Sequence, residues 1–375
     1  MDKNLYKPLA FCFEVLKRFG LWQDGKQTWS YFFLGYLFHL VFIELILCFQ
    51  IVYLTKTTDV MDFIESFSHI TALFAAMMKS FIFIWKLKSI KKSVDSLNEM
   101  ISNSRFSNND HMKREVLIVF RIFKIFWMLF ACSSLTGFVP IFHNQLPFKM
   151  WFPFETVKEK SQIGYWIATI YLQILAFALG SIVVSLDTLP VFLMSFATGF
   201  LKQLSERIMK IEKYDDLIEC VNNHRFVKNF IKEIEDNFAS AIFFQGLISS
   251  LTLCTGVFIM SFTESARDFT AITVFLIPIT LEIFLPCYFG NKLSVASSAL
   301  TTSIFHSEWI EKDRKLKKAA MIFMECSQKH LKITSLGTFD VNIATFSSIL
   351  KSAYSFFNVM KQEILKWHRL LTHNH

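Results

Sequence analysis

The chain has 375 residues, a formal net charge of +8 and 53% hydrophobic residues, with 44 Phe but only 11 Gly and 7 Pro. Few helix breakers and several long apolar runs exclude a turn-dense β fold and favour long helices. The basic excess sits between the apolar runs, where it sets membrane topology and meets anionic lipid, which argues against nucleic-acid binding.

About 20 mostly apolar residues are needed to cross a hydrocarbon core about 30 Å thick. Read in chain order, seven stretches qualify: residues 31–54, 63–85, 116–142, 165–197, 239–262, 270–290 and 342–360, the last being the most polar. No short apolar core followed by a small-residue cleavage site precedes them, so the first span is expected to act as its own insertion signal. Trp29, Trp85, Trp151, Trp166 and Trp367 fall near span ends, where indoles favour the interface. The N-terminal tail and the two–three, four–five and six–seven connections hold 27 Lys and Arg, against eight in the segments of the other side. That bias predicts a cytoplasmic N-terminus and an external C-terminus.

The connections on the basic side carry helical periodicity. Phe226, Phe230, Ile231, Ile234 and Phe238 recur along one face, so span four should continue through Leu204 and span five should begin near His224. Residues 305–331 form another amphipathic stretch, with Trp309, Leu316, Ala320 and Phe323. Such apolar faces need partners, and a packed helical layer below the membrane would supply them. The expected fold is therefore an all-α integral membrane protein with seven transmembrane helices and a cytoplasmic anchor layer. It divides into an N-terminal segment (1–30), spans one to four (31–197), helical extensions (198–238), spans five and six (239–290), an anchor segment (291–341), span seven (342–362) and an external tail (363–375).

Signatures of catalysis are missing: no GxSxG, HExxH, P-loop or GxGxxG occurs, and the seven Cys include no CxxC pair. No enzyme, cofactor or metal is expected. His39 and His69 lie within spans and read as packed side chains rather than catalytic ones. The ionisable residues inside spans are Glu44, Lys79, Arg121, Lys124, Asp187, Glu282 and Lys351, and each should face protein or water. Two readings are open for Glu282 and Lys351: they pair with each other, or Lys351 faces a water-filled path.

Span seven has the most informative pattern. Ser348, Ser352, Ser355, Val359 and Gln362 recur at steps of four, three, four and three. This continuous polar stripe reads either as interhelical hydrogen bonding or as a pore-lining face, and a single such helix encloses a pore only in an oligomer. The outer halves of spans two, three, four and six carry Phe67, Ile70, Phe74, Ser134, Gly137, Ile141, Tyr171, Ile174, Ile272 and Phe275. Such a lining suits a small apolar ligand, although ordinary helix packing produces the same composition.

Asp187-Thr188-Leu189, His224 before span five, Cys287-Tyr288-Phe289-Gly290, Trp309, and Thr345-Phe346, Ile349-Leu350-Lys351 and Tyr354-Ser355 follow one another over residues 185–361. In order and spacing they resemble the C-terminal half of insect odorant receptors. The resemblance implies a tetrameric nonselective cation channel, an odorant-binding subunit formed with the shared odorant receptor co-receptor, in the plasma membrane of olfactory sensory neurons. It implies that permeant cations pass beside the last span, with Val359 at an apolar gate and Gln362 one turn outward. It also places the odorant pocket in the outer halves of spans two, three, four and six, with Ser134 and Gly137 matching a pair of small residues three apart. Glu363 departs from the pattern, which is usually apolar there. Two rivals share seven spans. A G-protein-coupled receptor would need an external N-terminus, against the charge bias, and neither a DRY-like triplet nor NPxxY is present. A gustatory receptor has the same topology, but the SAYSFF ending favours the olfactory family.

Overall fold

The computed structural model describes residues 3–22, 29–102, 110–136, 141 and 144–373. The elements are α1 (Lys3–Arg18), α2 (Trp29–His39), a π-helical turn (Leu40–Glu44), α3 (Leu45–Lys56), α4 (Val60–Trp85), α5 (Leu87–Ser102) and α6 (Asp110–Thr136). They continue with α7 (Gln162–Met209), α8 (Tyr214–Phe262), α9 (Ala266–His306), a 3-10 turn (Trp309–Glu311), α10 (Arg314–Ser327), β1 (Thr334–Ser335), β2 (Phe339–Asp340) and α11 (Ile343–His373).

Among the described residues, six helices are long and apolar enough to cross a membrane: Trp29–Lys56, Val60–Trp85, Asp110–Leu135, Gln162–Met209, Tyr214–Phe262 and Ala266–Glu311. The seventh spanning helix is α11, whose polar stripe keeps it below that threshold. Local chemistry explains where helices start. The Asp59 carboxylate accepts the Asp62 amide at 2.9 Å ahead of α4, and the Ser161 hydroxyl accepts the Gly164 amide at 3.1 Å ahead of α7.

Helices α7 and α8 contain 48 and 49 residues. At 1.5 Å per residue each is about 70 Å long, more than twice the thickness of a hydrocarbon core. Only residues 210–213 separate them. The surplus length enters an anchor end built from α1, α5, α10 and the adjoining parts of α6 to α9. Here Leu9, Cys12 and Leu16 of α1, Ile90 and Leu97 of α5, Met112 and Val116 of α6, Phe196, Phe200 and Leu204 of α7, Val227 and Phe230 of α8, Leu300 of α9 and Phe323 of α10 are all buried.

Several expectations need adjusting. Helix α7 runs to Met209 rather than Leu204, and α8 begins ten residues before His224. Asp215 and Asp216 in its first turn suit the positive end of a helix dipole, while Leu217 and Cys220 are buried. The N-terminal segment is not a plain tail: α1 packs on α6 and α7, with Phe11 edge-on to Phe123 at 5.6 Å and the Cys12 thiol 3.6 Å from the Thr188 hydroxyl. The two–three connection likewise contains α5, which docks on α8 through a hydrogen bond from the Asn237 amide to the Ser93 hydroxyl at 2.9 Å.

Candidate functional site

Helix α11 follows the β1–β2 hairpin, and its first turn is fixed by Asn342, whose side chain accepts the Thr345 amide at 2.9 Å. The helix touches the rest of the chain along one face. Phe346 packs against Phe284 with ring centroids 5.3 Å apart, Ile349 lies over Gly246, Ala353 is buried, and Met360 sulfur meets the Cys254 thiol at 3.6 Å. The predicted stripe points the other way: Ser348, Ser352, Ser355, Val359 and Gln362 are all exposed, Val359 by 56%. Lys351 is exposed as well. A polar face turned away from its own chain at membrane depth needs water or another polar surface beside it.

The hairpin and α11 can lie this close to α9 because position 290 has no side chain. A Cβ on Gly290 would collide with the Val341 carbonyl oxygen. The CYFG motif therefore has a packing reason, and it links span six directly to the entry of span seven.

At mid-bundle, charges from three helices meet. Lys79 of α4 contacts the Asp187 carboxylate of α7 at 2.8 Å and the Glu282 carboxylate of α9 at 3.3 Å. Gln245 of α8 donates to Glu282 at 3.2 Å. Lys79 is only 6% exposed, so the ion cluster is sealed from solvent. Glu282 thus pairs with Lys79, and the pairing with Lys351 left open by the sequence does not occur. The signal was present as opposite charges in different spans, since buried charges must pair, but sequence alone does not say which partner is nearest. A cavity of about 30 Å³, room for a water molecule, lies beside Lys79, Asp187, Pro190, Gln245 and Pro286. A second of about 10 Å³ adjoins Gln245, Glu282, Thr345 and Ile349, and so reaches α11.

The other intramembrane ionisable groups stay apart. Arg121 and Lys124 are exposed on α6, with the Lys124 ammonium 4.5 Å from the Phe120 ring centre. Glu44 sits in the π turn. At the anchor end, Glu115 is buried between Lys202 at 2.7 Å and Lys292 at 2.5 Å, which ties α6, α7 and α9 together.

The residues expected to line a pocket divide into groups. Ile70, Ile272 and Phe275 are half-buried where α4 and α9 approach, and the His69 ring lies 6.1 Å from Phe275 and 5.1 Å from Phe148. Phe67, Phe74 and Ile174 turn out of the bundle, because they occupy the faces of α4 and α7 opposite the packed ones. Tyr171 faces span one: its hydroxyl donates to the Val41 carbonyl and its ring lies 5.3 Å from Phe42. Ser134 and Ile141 are half-buried, and Gly137 lies outside the described residues. The two cavities sit around the ion cluster rather than among these positions.

The 7tm Odorant receptor family model matches residues 59–354. The chain belongs to the odorant receptor family. This receptor is 23% identical over 305 residues to Odorant receptor 33b of Drosophila melanogaster, covering 77% of this chain and 79% of that one. It is 22% identical over 396 residues to Odorant receptor Or1 of Anopheles gambiae, covering 92% and 93%. In fold it resembles the insect olfactory receptor OR5 of Machilis hrabei solved in complex with eugenol, with a TM-score of 0.77 and 16% identity over 96% of this receptor and 98% of the other. The matched family is one of receptors rather than enzymes.

Proposed function

We propose that this receptor is the odorant-binding subunit of an odorant-gated nonselective cation channel, assembled as a heterotetramer with the odorant receptor co-receptor in the plasma membrane of olfactory sensory neurons. The observation that carries the proposal is the exposed stripe of α11. A chain built to sit alone in lipid would turn apolar side chains outward all along its last span, whereas this one turns out Ser348, Ser352, Ser355 and Gln362 as a continuous polar stripe beside the exposed Leu350, Tyr354 and Phe356. Around an axis shared by several subunits the same stripe lines a water-filled path for cations, and Val359 forms an apolar constriction that closes it by dewetting. The ligand is a small volatile or apolar molecule held between the outer halves of α4, α6, α7 and α9. The OR5 receptor, which holds eugenol, supports that reading. Ligand opens the channel by binding the open arrangement of α11 more tightly than the closed one.

The N-terminus lies in the cytoplasm and the C-terminus outside, as the lysine and arginine bias requires. Tagging both termini and staining cells before and after permeabilisation checks this. An external N-terminal tag with a hidden C-terminal tag would overturn the channel reading in favour of a G-protein-coupled receptor. Val359→Ser, expressed with the co-receptor, should raise current in the absence of odorant by several-fold. Unchanged resting current in channels that reach the surface would remove Val359 from the gate.

A further inference from the structure

Four hydrogen-bonding atoms between α6 and α7 have no partner among the described residues although solvent does not reach them: the Trp127 indole nitrogen, the Ser134 hydroxyl, the Gln173 side-chain nitrogen and the Thr169 hydroxyl. A buried polar group left unpaired costs free energy and calls for an explanation. Thr169 is the clearest case, since its residue is only 2% exposed. Helical hydroxyls usually close onto the carbonyl one turn back, and on this same helix Ser181, Ser185, Thr188 and Thr198 do so at 2.7–2.8 Å. Thr169 does not. Ser195, the other unbonded hydroxyl of α7, lies about seven turns further along, at the anchor end.

The four atoms share one groove. The two helices run antiparallel, since Phe123 packs on Phe192 at 6.0 Å, Trp127 on Phe177 at 6.0 Å, and Lys202 pairs with Glu115. A Cβ on Gly180 would run into the Phe130 ring, so the face of α7 bearing Gly180, Gln173 and Thr169 is the one turned to α6. Trp127, Phe130 and Ser134 repeat along the matching face of α6. Measured outward from the Trp127–Phe177 contact, Ser134 lies about 10 Å away, between Gln173 at about 6 Å and Thr169 at about 12 Å. The bundle thus holds a short strip of unpaired polar atoms on facing helices, whereas Gln50, Thr71, Thr252 and Thr255 elsewhere in the outer half each have a hydrogen-bond partner.

The chemistry of the strip is biased. The indole and amide nitrogens only donate, and the two hydroxyls donate or accept. We infer that the ligand of this receptor carries a hydrogen-bond acceptor oxygen, as in a ketone, aldehyde or ester, and seats it on Gln173 and Thr169 while its alkyl part occupies the apolar surroundings. The inference rests on the odorant-binding role proposed above. A site built to pair an oxygen discriminates strongly against the analogue without one, because the donors then stay unpaired.

The test uses straight-chain methyl ketones of increasing length, each paired with the alkene in which a methylene group replaces the carbonyl oxygen. Two readouts are taken: current from cells expressing the receptor with the co-receptor, and ligand-induced thermal stabilisation of the purified receptor. The best ketone should be more potent than its alkene by about tenfold or more, and Thr169→Val and Gln173→Leu should each shrink that ratio to within about threefold. Thr169→Ser keeps the hydroxyl and should keep the preference, which separates loss of the donor from loss of packing. Surface staining and a retained alkene response establish that each variant is folded. Equal potency of ketone and alkene in the native receptor, or a ratio unchanged in both Thr169→Val and Gln173→Leu, overturns the inference. A ketone preference in thermal stabilisation without any current would uphold the ligand class while overturning the channel reading.

Discussion

Lys79 holds two carboxylates from two other helices, so removing it differs in kind from trimming an apolar side chain. Lys79→Met leaves Asp187 and Glu282 buried without their counter-charge, which costs about 3–5 kcal/mol. Adding Asp187→Asn relieves one of the stranded charges and should recover part of that loss. Thermal melting of the detergent-purified receptor measures both effects, and a Lys79→Met protein that melts like the native one would show the cluster to be dispensable. His224 gives a pH prediction at the anchor end. Burial, helped by the nearby Lys228 ammonium, lowers its pKa below the ordinary 6.5, and its ring packs edge-on against Phe323 at 5.4 Å. The neutral ring is therefore the form the fold prefers. Its contribution is full above about pH 6.5 and is lost as the pH falls through that value towards the lowered one. Melting temperature should drop on acidification over that range, and His224→Gln should flatten the drop. An identical slope in the variant would assign it to other groups.

At the scale of elements, the docking of α11 depends on Gly290. Gly290→Ala forces the Val341 carbonyl away from α9 and should destabilise the junction by about 1–3 kcal/mol. Its effect should fall on the hairpin and the start of α11, which hydrogen exchange at residues 334–349 resolves from the rest. Protection unchanged there would separate α9 packing from α11 placement. This junction also marks how far the sequence could be read. The stripe on α11 was legible because Ser and Gln at alternating steps of four and three can share a face only in a helix. The anchor layer was legible where Phe226, Phe230 and Ile234 repeat. Helices α1 and α5 were not, because an amphipathic helix averages to low hydropathy and looks like a loop. The positions of the pocket residues were legible only as candidates: a Phe at 67 or 74 reads the same whether it faces ligand or lipid, and only packing tells them apart.

At the scale of the whole molecule, two helices of about 70 Å run from the apolar bundle into the anchor, so the membrane-spanning bundle and the anchor share continuous helices. The anchor, however, draws on distant parts of the chain. Its core needs α1 from the very start, and it needs α10, whose Leu316, Ala320 and Phe323 fill the space beside α8 and α9. Thr301 on α9 closes the arrangement by donating to the Ser327 carbonyl at 2.9 Å. During translation the first six spans are therefore complete before the layer beneath them can close, and the apolar flanks of α8 and α9 stay uncovered until residue 327 has left the ribosome. A chain ending after His306 should be inserted normally yet degraded far faster than one ending after Ser327, as pulse-chase labelling would record. Equal lifetimes would mean that the layer closes without α10.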